Sequence, residues 1–366
     1  MTQPSDFRIA VLPGDGIGLE ITKPCEDLLS HVAAKVGGFG LKFETVPAGA
    51  GLYRDTGAAF PDSSKKMTER ADAILLGAMG LPEVRYPDGT EISPQLDLRF
   101  DLDLYTGIRP VRAIPGINLP LADPRASNLD FVLVRESTEG LFASHGKGEI
   151  VNDQIAKDTL VITRDASERL FDYAFKLARK RKNKGHPGKV TCVDKANVFS
   201  SFAFFRSIFD ERAALNDDIT ADHAYVDATA LNMVRNPWDF DVLVTENMFG
   251  DILSDIGAGL IGGMGMAPSA DIGDKHAVFQ PCHGTAPDIV GTGKANPTAM
   301  ILSAALMLEW LGETHTMETC TQAADLLIAA VDKAFEDGSL VPFELGGGAS
   351  TETIFNAVYT ALNDSL

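Results

Sequence analysis

Two aspartates four positions apart, Asp251 and Asp255 in the segment GDILSDIG, are the residues whose spacing most directly suggests chemistry. If this segment is a helix, both carboxylates project from one face about one turn apart, where they repel each other unless a cation lies between them. Oxygen ligands suit Mg²⁺ or Mn²⁺ better than Zn²⁺. The spacing therefore predicts a divalent-metal site, and a solvated acidic helix face fits the same spacing equally well.

Four cationic residues are candidates for substrate chemistry. Arg99, Arg109 and Arg135 lie beside strand-like or turn-like residues in LRFDLDLYTGIRP and VLVREST. Guanidinium groups bind carboxylates through paired hydrogen bonds, so converging arginines would hold a di- or tricarboxylate. The alternative, surface ion pairs in an acidic chain, is the commoner fate of an arginine and is favoured by the residues alone. Lys195, at the end of the apolar run in TCVDKANVF, is a candidate acid/base group because burial and a nearby metal favour a neutral amine.

Two glycine-rich segments resemble nucleotide-binding motifs without matching them. Residues 14–18, GDGIG, follow a strand-like run and open a helix-like run, but their spacing is G-x-G-x-G instead of G-x-G-x-x-G. Residues 291–295, GTGKA, resemble a phosphate loop, but Asp288 replaces its first glycine and Ala295 replaces its magnesium-binding hydroxyl. A nucleotide would therefore be held by neither of the two common motifs.

Short strand-like runs alternate with longer amphipathic runs along much of the chain. The strand-like runs include FRIAVL, LKFETVPA, DAILLGA, LDFVLVRE, KVTCVDKA and FDVLVTEN, and LEITKPCEDLLSHVAAKV and DSSKKMTERA are predicted helices. This alternation is typical of an α/β protein in which helices cover a sheet. The segment from Glu149 to Thr163 is strand-rich and lacks a helical period, which predicts an arm or an extra sheet.

The bulk composition limits the classes of function. The 366 residues are 45% hydrophobic, which supports a large core and favours two domains. A formal net charge of -19 would repel a polyanion, so nucleic acid is not an expected partner. The one basic run, residues 179–184, is predicted to be the last turn of a helix that ends before Gly185, with a phosphate-binding patch as the less favoured alternative.

Cysteine usage and hydropathy point to the cytoplasm. The four cysteines are widely scattered, with no CxxC pair and no zinc-like spacing, as in a reduced compartment. The N-terminal residues MTQPSDFRIAVLPG lack the apolar run of a signal peptide, and the longest uncharged run, residues 256–270, is short and rich in glycine. We therefore expect neither export nor contact with a membrane.

Nine motifs occur in an order that resembles a known enzyme family. From about Ile9 to Ala305 they are PGDGIG, LDLRF, IRP, VREST, VDKAN, YVDA, GDILSD, PSAD and HGTAPDIVGTGKANPTA. This ordered set is similar to the isocitrate/isopropylmalate dehydrogenases, which are β-decarboxylating dehydrogenases. Within that family, the residues of the motifs most resemble those of the 3-isopropylmalate and tartrate/malate enzymes. Each motif alone is weak evidence, but nine in sequence make a chance match very improbable.

The resemblance implies a fold other than the Rossmann fold. It implies an α/β protein of two domains built around a long mixed sheet. A cofactor-binding domain would comprise residues 1–104 and 262–366, and a substrate and dimerisation domain would comprise residues 105–261. The strand-rich segment near residues 149–163 then corresponds to the dimer arm of the family.

The resemblance also assigns roles to the charged residues. Arg99, Arg109 and Arg135 match the arginines that grip the carboxylates of a malate. Asp251 and Asp255 match metal ligands, and a second copy of the chain is implied to supply a third ligand, which matches Asp227, and the catalytic lysine, which matches Lys195. Lys195 would take the proton of the C2 hydroxyl as hydride leaves for the nicotinamide, after which the 3-carboxylate departs as carbon dioxide. The active site would thus require a homodimer.

NAD is the cofactor that the resemblance implies. Asp288 matches the carboxylate that accepts hydrogen bonds from the adenosine ribose, and a carboxylate repels the 2′-phosphate of NADP. Beside Asp288, the implied cofactor-binding residues are Gly16, Ile17, Gly77, His283, Gly284, Thr285, Ala286, Ile289 and Asn296.

Several positions depart from the family pattern. Phe142 replaces a tyrosine that helps to protonate the enolate, so that Lys195, water or His145 would take over this step or the step would be slower. Gln280 replaces a glutamate before the HGTAPD segment, which removes one charge. Ser93 and Gln95 fall where isocitrate-type relatives carry a serine and an asparagine, and unpaired polar groups beside an isopropyl group would cost roughly 1–3 kcal/mol each.

These departures leave the substrate open within one reaction class. The favoured substrate is 3-isopropylmalate, and isocitrate, homoisocitrate, tartrate or malate are the alternatives. Phe142 and Gln280 also motivate a hypothesis of a different kind, in which the chain is a catalytically silent regulatory or binding subunit. Retention of the full set of arginines, aspartates and lysine argues against that hypothesis.

Overall fold

A computed structural model describes residues 6–365. The first five residues of the N-terminal segment that was compared with a signal peptide lie outside the described part of the chain. The strands are β1 (Asp6–Gly14), β2 (Gly40–Thr45), β3 (Ala73–Ala78), β4 (Thr106–Arg112), β5 (Asp130–Glu136), β6 (Glu149–Val151), β7 (Ile155–Lys157), β8 (Lys189–Asp194), β9 (Thr220–Tyr225), β10 (Val242–Thr245), β11 (Pro268–Ile272) and β12 (Ala277–Pro281). The helices are α1 (Gly18–Val36), α2 (Ala50–Thr56), α3 (Asp62–Glu69), α4 (Pro94–Asp101), α5 (Arg164–Asn183), α6 (Ser200–Ala213), α7 (Val226–Arg235), α8 (Asn247–Leu260), α9 (Thr298–His315), α10 (Glu318–Phe335) and α11 (Thr351–Asp364). The α/β class predicted from the alternating runs is confirmed.

Ten of these strands form one continuous mixed sheet in the order β2-β1-β3-β12-β11-β4-β5-β10-β8-β9. The first five positions are filled by strands from the two ends of the chain, and the last five by strands from its middle. Most neighbouring pairs are parallel, but β12-β11, β11-β4 and β4-β5 are antiparallel. The two halves of the sheet therefore meet at an antiparallel joint between β11 and β4.

Strands β3 and β10 are buried along their whole length because helices cover both faces of the sheet. In β3, AILLGA, and in β10, VLVT, every residue is buried. Parallel strands buried on both faces lose the alternation of polar and apolar residues that a half-exposed strand shows. The covering helices are amphipathic, and α9 is an exception because it is buried around most of its circumference. Burial of this central helix makes one core continuous across much of the molecule.

The strand-rich segment predicted from residues 149–163 is a small separate hairpin. Strands β6 and β7 pair antiparallel and form a sheet of their own. Asn152 and Asp153 at the turn both have φ of 54°, which is the left-handed conformation that a two-residue hairpin of type I′ requires. Ile150 and Ile155 are exposed on this hairpin. An isolated two-stranded hairpin is marginally stable in water, so these apolar side chains suit a segment that is covered by another surface.

The basic run forms the end of α5, as predicted, and its central arginine points inward. Arg181 is buried and donates from Nε to Asp241 Oδ1 at 2.6 Å and from Nη1 to Asp130 Oδ1 at 2.9 Å. Asp241 also accepts hydrogen bonds from the backbone N–H groups of Gly188 and Lys189. Arg181 thus fixes the entry to strands β5, β8 and β10 instead of binding phosphate.

No helix in the described part of the chain is both long and apolar enough to cross a membrane. The four cysteines, Cys25, Cys192, Cys282 and Cys320, are free thiols. Burial raises the pKa of each of them, most strongly for the first two, so their thiols are held in the protonated form.

The Arg181–Asp241 pair generates a prediction about stability. Asp241→Ala leaves the Nε of the buried Arg181 and two backbone N–H groups without their acceptor, and we expect the free energy of unfolding to fall by about 3–5 kcal/mol in urea titrations. Asp239→Ala is the matched control, because Asp239 is exposed two positions earlier, and it should change the same quantity by less than about 0.5 kcal/mol. Equal effects of the two substitutions would contradict the structural role of Asp241.

Candidate active site

A polar cavity of about 200 Å³ opens where the two halves of the sheet meet. Its walls come from the ends of β3, β5 and β12, from β4 and β11, and from α4 and α8. The lining residues include three arginines, two aspartates and several small or polar groups: Gly77, Met79, Gln95, Arg99, Arg109, Arg135, Asp251, Asp255, Gln280, His283 and Gly284. The arginines and aspartates proposed from separate sequence motifs therefore share one cavity.

Arg135, at the end of β5, is held by the first turns of α8. Its Nε and Nη2 donate to Asn247 Oδ1 at 3.0 and 2.7 Å, and its Nη1 forms an ion pair with Asp251. A Cβ on Gly250 would lie 2.6 Å from Arg135 Cγ, so a residue with a side chain does not fit at this position. Burial and the neighbouring positive charges of Arg99 and Arg109 lower the pKa of Arg135 to about 10.

Arg99 and Arg109 converge on a third carboxylate, Asp271 in β11. Arg99 Nη2 lies 3.1 Å from Asp271 Oδ2, and Arg109 Nη2 lies 3.2 Å from Asp271 Oδ1. Arg109 also donates from Nη1 to the carbonyl of Ala270 at 3.0 Å, which fixes the plane of its guanidinium group. Both arginines are buried, so they are not the surface ion pairs that the residues alone had favoured.

Asp271 is the aspartate of the PSAD motif, and the sequence alone predicts no role for it. Its carboxylate is 1% exposed and accepts hydrogen bonds from Gln280 Nε2 at 3.0 Å and from Ser137 Oγ at 3.4 Å. The surrounding guanidinium groups outweigh the effect of burial and lower the pKa of Asp271 to about 2. A buried carboxylate is identifiable from an Asp in an otherwise apolar strand, but its partners come from distant segments.

Asp251 and Asp255 lie one turn apart on α8, as the spacing predicted, and both face the cavity. Burial first, and the charge of Asp251 second, raise the pKa of Asp255, which is the repulsion that a bound cation would relieve. Hard oxygen donors on one face fit Mg²⁺ or Mn²⁺. Within residues 6–365, no cluster of three or more acidic, histidine or cysteine side chains is arranged around a single metal position. Asp251 and Asp255 are thus candidate metal ligands.

Lys195 and Asp227 do not line this cavity. They lie against each other, with Lys195 Nζ 2.7 Å from Asp227 Oδ1, and the side chain of Asp227 is 69% exposed. The hydrogen bond from Lys195 lowers the pKa of Asp227. The turn that carries Lys195 is fixed by the buried Asp194, which accepts from Arg206 and from the Ala196 backbone N–H. Within one chain, these two predicted catalytic residues form a separate, outward-facing pair.

The two polar residues predicted to bind substrate are separated by the start of α4. Gln95 lines the cavity, and its Oε1 is buried without a hydrogen-bond partner among the described residues. Ser93 precedes the helix and is not among the lining residues; its Oγ lies 3.5 Å from the carbonyl of Glu91. Gln95 is therefore positioned to accept a hydrogen bond from a ligand, whereas Ser93 is not.

The predicted cofactor-binding residues Gly16, Ile17 and Gly77 lie where several chain segments pack closely against each other. The N–H of Ile17 donates to the carbonyl of Thr285 at 3.0 Å, and a Cβ on Gly16 would lie 2.3 Å from that same oxygen. Gly77 is similarly required, because a Cβ there would lie 2.5 Å from the carbonyl of Pro13. Asp15, which sequence reasoning did not single out, binds the loops together by accepting backbone N–H groups of residues 50, 51 and 80.

The predicted adenosine-binding residues follow β12 in one loop. His283 and Gly284 line the cavity, and His283 Nε2 is buried without a partner among the described residues. Burial lowers the pKa of His283, so its ring is neutral near pH 7. Its Nδ1 donates to the carbonyl of Gly284 at 2.8 Å, which leaves Nε2 as a hydrogen-bond acceptor. Ala286, with φ of 40°, turns the chain into the short helix Pro287–Ile289, where Asp288 is exposed. An orphan ring nitrogen and an exposed carboxylate fit a polar nucleotide.

Asn296 lies deeper in the fold than the rest of this loop. Its Oδ1 accepts from the N–H and hydroxyl of Thr298, and its Nδ2 contacts Glu344 and Met266. Burial raises the pKa of Glu344, which also accepts the N–H of Gly265. Glu344 was not predicted, and no local pattern distinguishes it from a surface glutamate.

Phe142, the residue that departs from the expected tyrosine, lies against Arg135. The Cζ atom of Arg135 is 5.3 Å from the centre of the Phe142 ring. Phe142 therefore stabilises the arginine through a cation–π contact and offers no proton to the cavity. His145 is exposed in the following turn and is not a lining residue of the cavity.

Comparison with known proteins places these features in a family. A family model described as isocitrate/isopropylmalate dehydrogenase matches residues 8–358. The 3-isopropylmalate/3-methylmalate dehydrogenase of Methanocaldococcus jannaschii is 43% identical over 94% of this chain and 95% of its own. The 3-isopropylmalate dehydrogenase of Geobacillus kaustophilus is 39% identical over 98% of this chain and 96% of its own.

A solved structure gives the same result for the fold. The crystal structure of isocitrate dehydrogenase from Methylococcus capsulatus is similar to this chain with a TM-score of 0.85 and 35% sequence identity, covering 97% of this chain and 99% of the other. The resemblance inferred from the nine motifs is thus confirmed, together with the mixed-sheet fold that it implied. The chain belongs to the isocitrate/isopropylmalate dehydrogenase family and is a dehydrogenase that acts on a hydroxy acid.

Proposed function

We propose that this protein oxidises and decarboxylates a 3-substituted malate, 3-isopropylmalate in the first place, with NAD and Mg²⁺ or Mn²⁺. The observation that carries the proposal is the convergence of three buried arginines and two aspartates on one cavity. Two carboxylates of a malate would be held by Arg99, Arg109 and Arg135, since a guanidinium group donates paired hydrogen bonds to a carboxylate.

The proposal also gives the charged residues roles around the reacting carbon. Asp251 and Asp255 would hold the dication, which when bound supplies Lewis-acid polarisation of the hydroxyl and of the ketone formed from it. Lys195 would accept the hydroxyl proton, and Asp227, at 2.7 Å from its Nζ, keeps the amine oriented. Phe142 shields Arg135 from water and leaves protonation of the product to Lys195 or to a water molecule.

The loop after β12 supports NAD as the cofactor, which accepts the hydride when bound. Asp288 is exposed on the short helix that ends this loop, so its carboxylate is free to accept ribose hydroxyl groups and to repel a 2′-phosphate. His283, Gly284 and the contact between Gly16, Ile17 and Thr285 would complete the nucleotide site. In this proposal, residues 1–104 and 262–366 form the cofactor-binding domain and residues 105–261 the substrate domain.

A homodimer explains why Lys195 and Asp227 face away from the cavity of their own chain. The elements beside them carry exposed apolar side chains: Val198, Phe199, Leu231, Val234, Met248 and Ile252. Burial of such a patch against a second copy would stabilise the dimer by the hydrophobic effect. It would also allow Lys195 and Asp227 of one copy to reach Asp251 and Asp255 of the other, with the hairpin of residues 149–157 as the dimer arm.

The preference for 3-isopropylmalate is supported by the names of the relatives, several of which are 3-isopropylmalate dehydrogenases. Ile92, beside α4, is fully buried and does not offer a polar contact to the substrate. Gln95 is the one predicted specificity residue that reaches the cavity, and its unpaired oxygen favours a substrate with a donor near the C3 substituent. Isocitrate, homoisocitrate, tartrate and malate therefore belong in the same assay.

Turnover tests the proposal directly. With NAD and Mg²⁺, we expect 3-isopropylmalate to give NADH and carbon dioxide in equal amounts, and Asp255→Asn to lower kcat at least about 100-fold because one metal ligand is lost. Asp274→Asn, a substitution of an exposed aspartate outside the cavity, should leave kcat within about twofold. Binding of these hydroxy acids without NADH formation would instead identify a catalytically silent subunit.

Cofactor preference is tested at the ribose carboxylate. We expect the wild-type protein to have a higher kcat/KM for NAD than for NADP, and Asp288→Asn to lower the ratio of the two at least about tenfold because the repulsion of the 2′-phosphate is removed. Asp288→Glu retains the charge and serves as the control. An unchanged ratio in Asp288→Asn would show that Asp288 does not contact the ribose.

The dimer is tested at its proposed apolar face. Leu231→Asp places a charge in that patch, and we expect it to raise the dimer dissociation constant at least about 100-fold in analytical ultracentrifugation and to reduce activity in proportion to the monomer formed. Leu215→Asp is the matched control, since Leu215 is 69% exposed, compared with 55% for Leu231, and does not lie on the same helix. A wild-type monomer with full activity would contradict the shared site.

A further inference from the structure

Asp271 lies behind the arginines of the substrate cavity. It is not among the residues that line the cavity, and its side chain is 1% exposed. Its Oδ2 lies 3.1 Å from Nη2 of Arg99, and its Oδ1 lies 3.2 Å from Nη2 of Arg109. Both guanidinium groups still line the cavity with their remaining donors. Any ligand carboxylate bound there therefore meets arginines whose charge is already partly balanced.

Gln280 is coupled to this buried carboxylate. Its Nε2 donates to Asp271 Oδ2 at 3.0 Å, and Gln280 is itself a lining residue of the cavity. A glutamate at position 280, which the family resemblance led us to expect, would place a second carboxylate at hydrogen-bond distance from Asp271. Two carboxylates at that distance cannot both be ionised without a large free-energy penalty. The amide at position 280 is therefore the partner that an ionised Asp271 requires.

The formal charges around the cavity sum to zero because of Asp271. The positive groups are Arg99, Arg109 and Arg135, and the negative groups are Asp251, Asp255 and Asp271. Addition of a dication would leave two positive charges, which a dicarboxylate neutralises. Without Asp271 there would be three, the charge that a tricarboxylate neutralises.

We propose that Asp271 is a specificity-determining residue which cancels one guanidinium charge, so that the cavity selects hydroxy acids with two carboxylates over those with three. The inference rests on the proposed function, because it assumes that this cavity is the substrate site. Asp271 acts through Arg99 and Arg109, since it has no exposed atom with which to touch the ligand, and it is thus a positioning residue and not a catalytic one.

Binding measurements on charge-altered variants test this role. The affinities of the full-length protein for malate, with two carboxylates, and for isocitrate, with three, are measured by titration calorimetry in excess Mg²⁺ without NAD. We expect the wild-type protein to bind the dicarboxylate more tightly. Asp271→Asn keeps the size of the side chain and removes its charge, and we expect the ratio of affinities to shift toward isocitrate at least about tenfold.

A second substitution with the opposite charge change keeps the test valid if Asp271→Asn folds poorly. Gln280→Glu puts a second carboxylate beside Asp271, where the two share a proton near neutral pH and gain a full negative charge only as the pH rises. We therefore expect it to weaken isocitrate binding more than malate binding, and increasingly so at higher pH. The double variant Asp271→Asn/Gln280→Glu restores both the total charge and an amide–carboxylate pair, and its affinity ratio should return to within about threefold of the wild-type value. A purely structural role of Asp271 gives no reason for such a rescue.

Asp274→Asn is the matched control, since it removes one exposed negative charge from the same segment outside the cavity. The proposal is overturned if Asp271→Asn leaves the ratio unchanged, if the double variant is not rescued, or if the wild-type protein prefers isocitrate. Because the ratios come from binding, failure of the proposed function is recognised separately, as retained binding with no NADH formed.

Discussion

Three guanidinium cations share one small cavity that is largely shielded from water, and the arrangement of the residues around it follows from that constraint. Like charges at such short range repel strongly once water is excluded, and the pKa of Arg135 is lowered first by burial and then by the charges of Arg99 and Arg109. The fold meets the constraint by giving each arginine a fixed acceptor. Arg135 has Asn247 and Asp251, and Arg99 and Arg109 share Asp271. Each arginine is thereby held in place before any ligand arrives.

The antiparallel joint of the sheet brings these groups together. Across β11, β4 and β5, Asp271 pairs with Gly107, and Gly107 pairs with Arg135. Because Gly107 has no side chain, the carboxylate and the guanidinium groups on either side of it meet above the sheet, and a Cβ there would lie 2.7 Å from Ser137 Oγ. The cavity thus forms where strands from the chain ends adjoin strands from its middle.

Within a single chain, only some of the residues of the proposed site lie around the cavity. The arginines and the two aspartates of α8 face the cavity, whereas Lys195 and Asp227 form a neutral, outward-facing pair beside an exposed apolar patch. An ion pair this exposed contributes little to stability, so a functional constraint is the better reason for its rigid support by Asp194 and Arg206. Such an arrangement suits a site completed by a second copy, in which assembly and activity are linked.

The sequence by itself determined the α/β class and the family, and it singled out the charged residues that line the cavity, because alternating hydrophobic runs and ordered local motifs are properties of contiguous residues. It also placed Asp251 and Asp255 on one helix face, since helical periodicity is local. Only the tertiary structure decided which polar groups meet. Asp271 lies against Arg99 and Arg109 and accepts a hydrogen bond from Gln280. Gln95 reaches the cavity, whereas Ser93 and Lys195 do not line it. The physical reason is that Asp271 lies more than 100 positions from Arg99 and Arg109, and even Gln280, nine positions away, reaches it from the neighbouring strand. Strand order and register bring these groups together, and no local pattern encodes them.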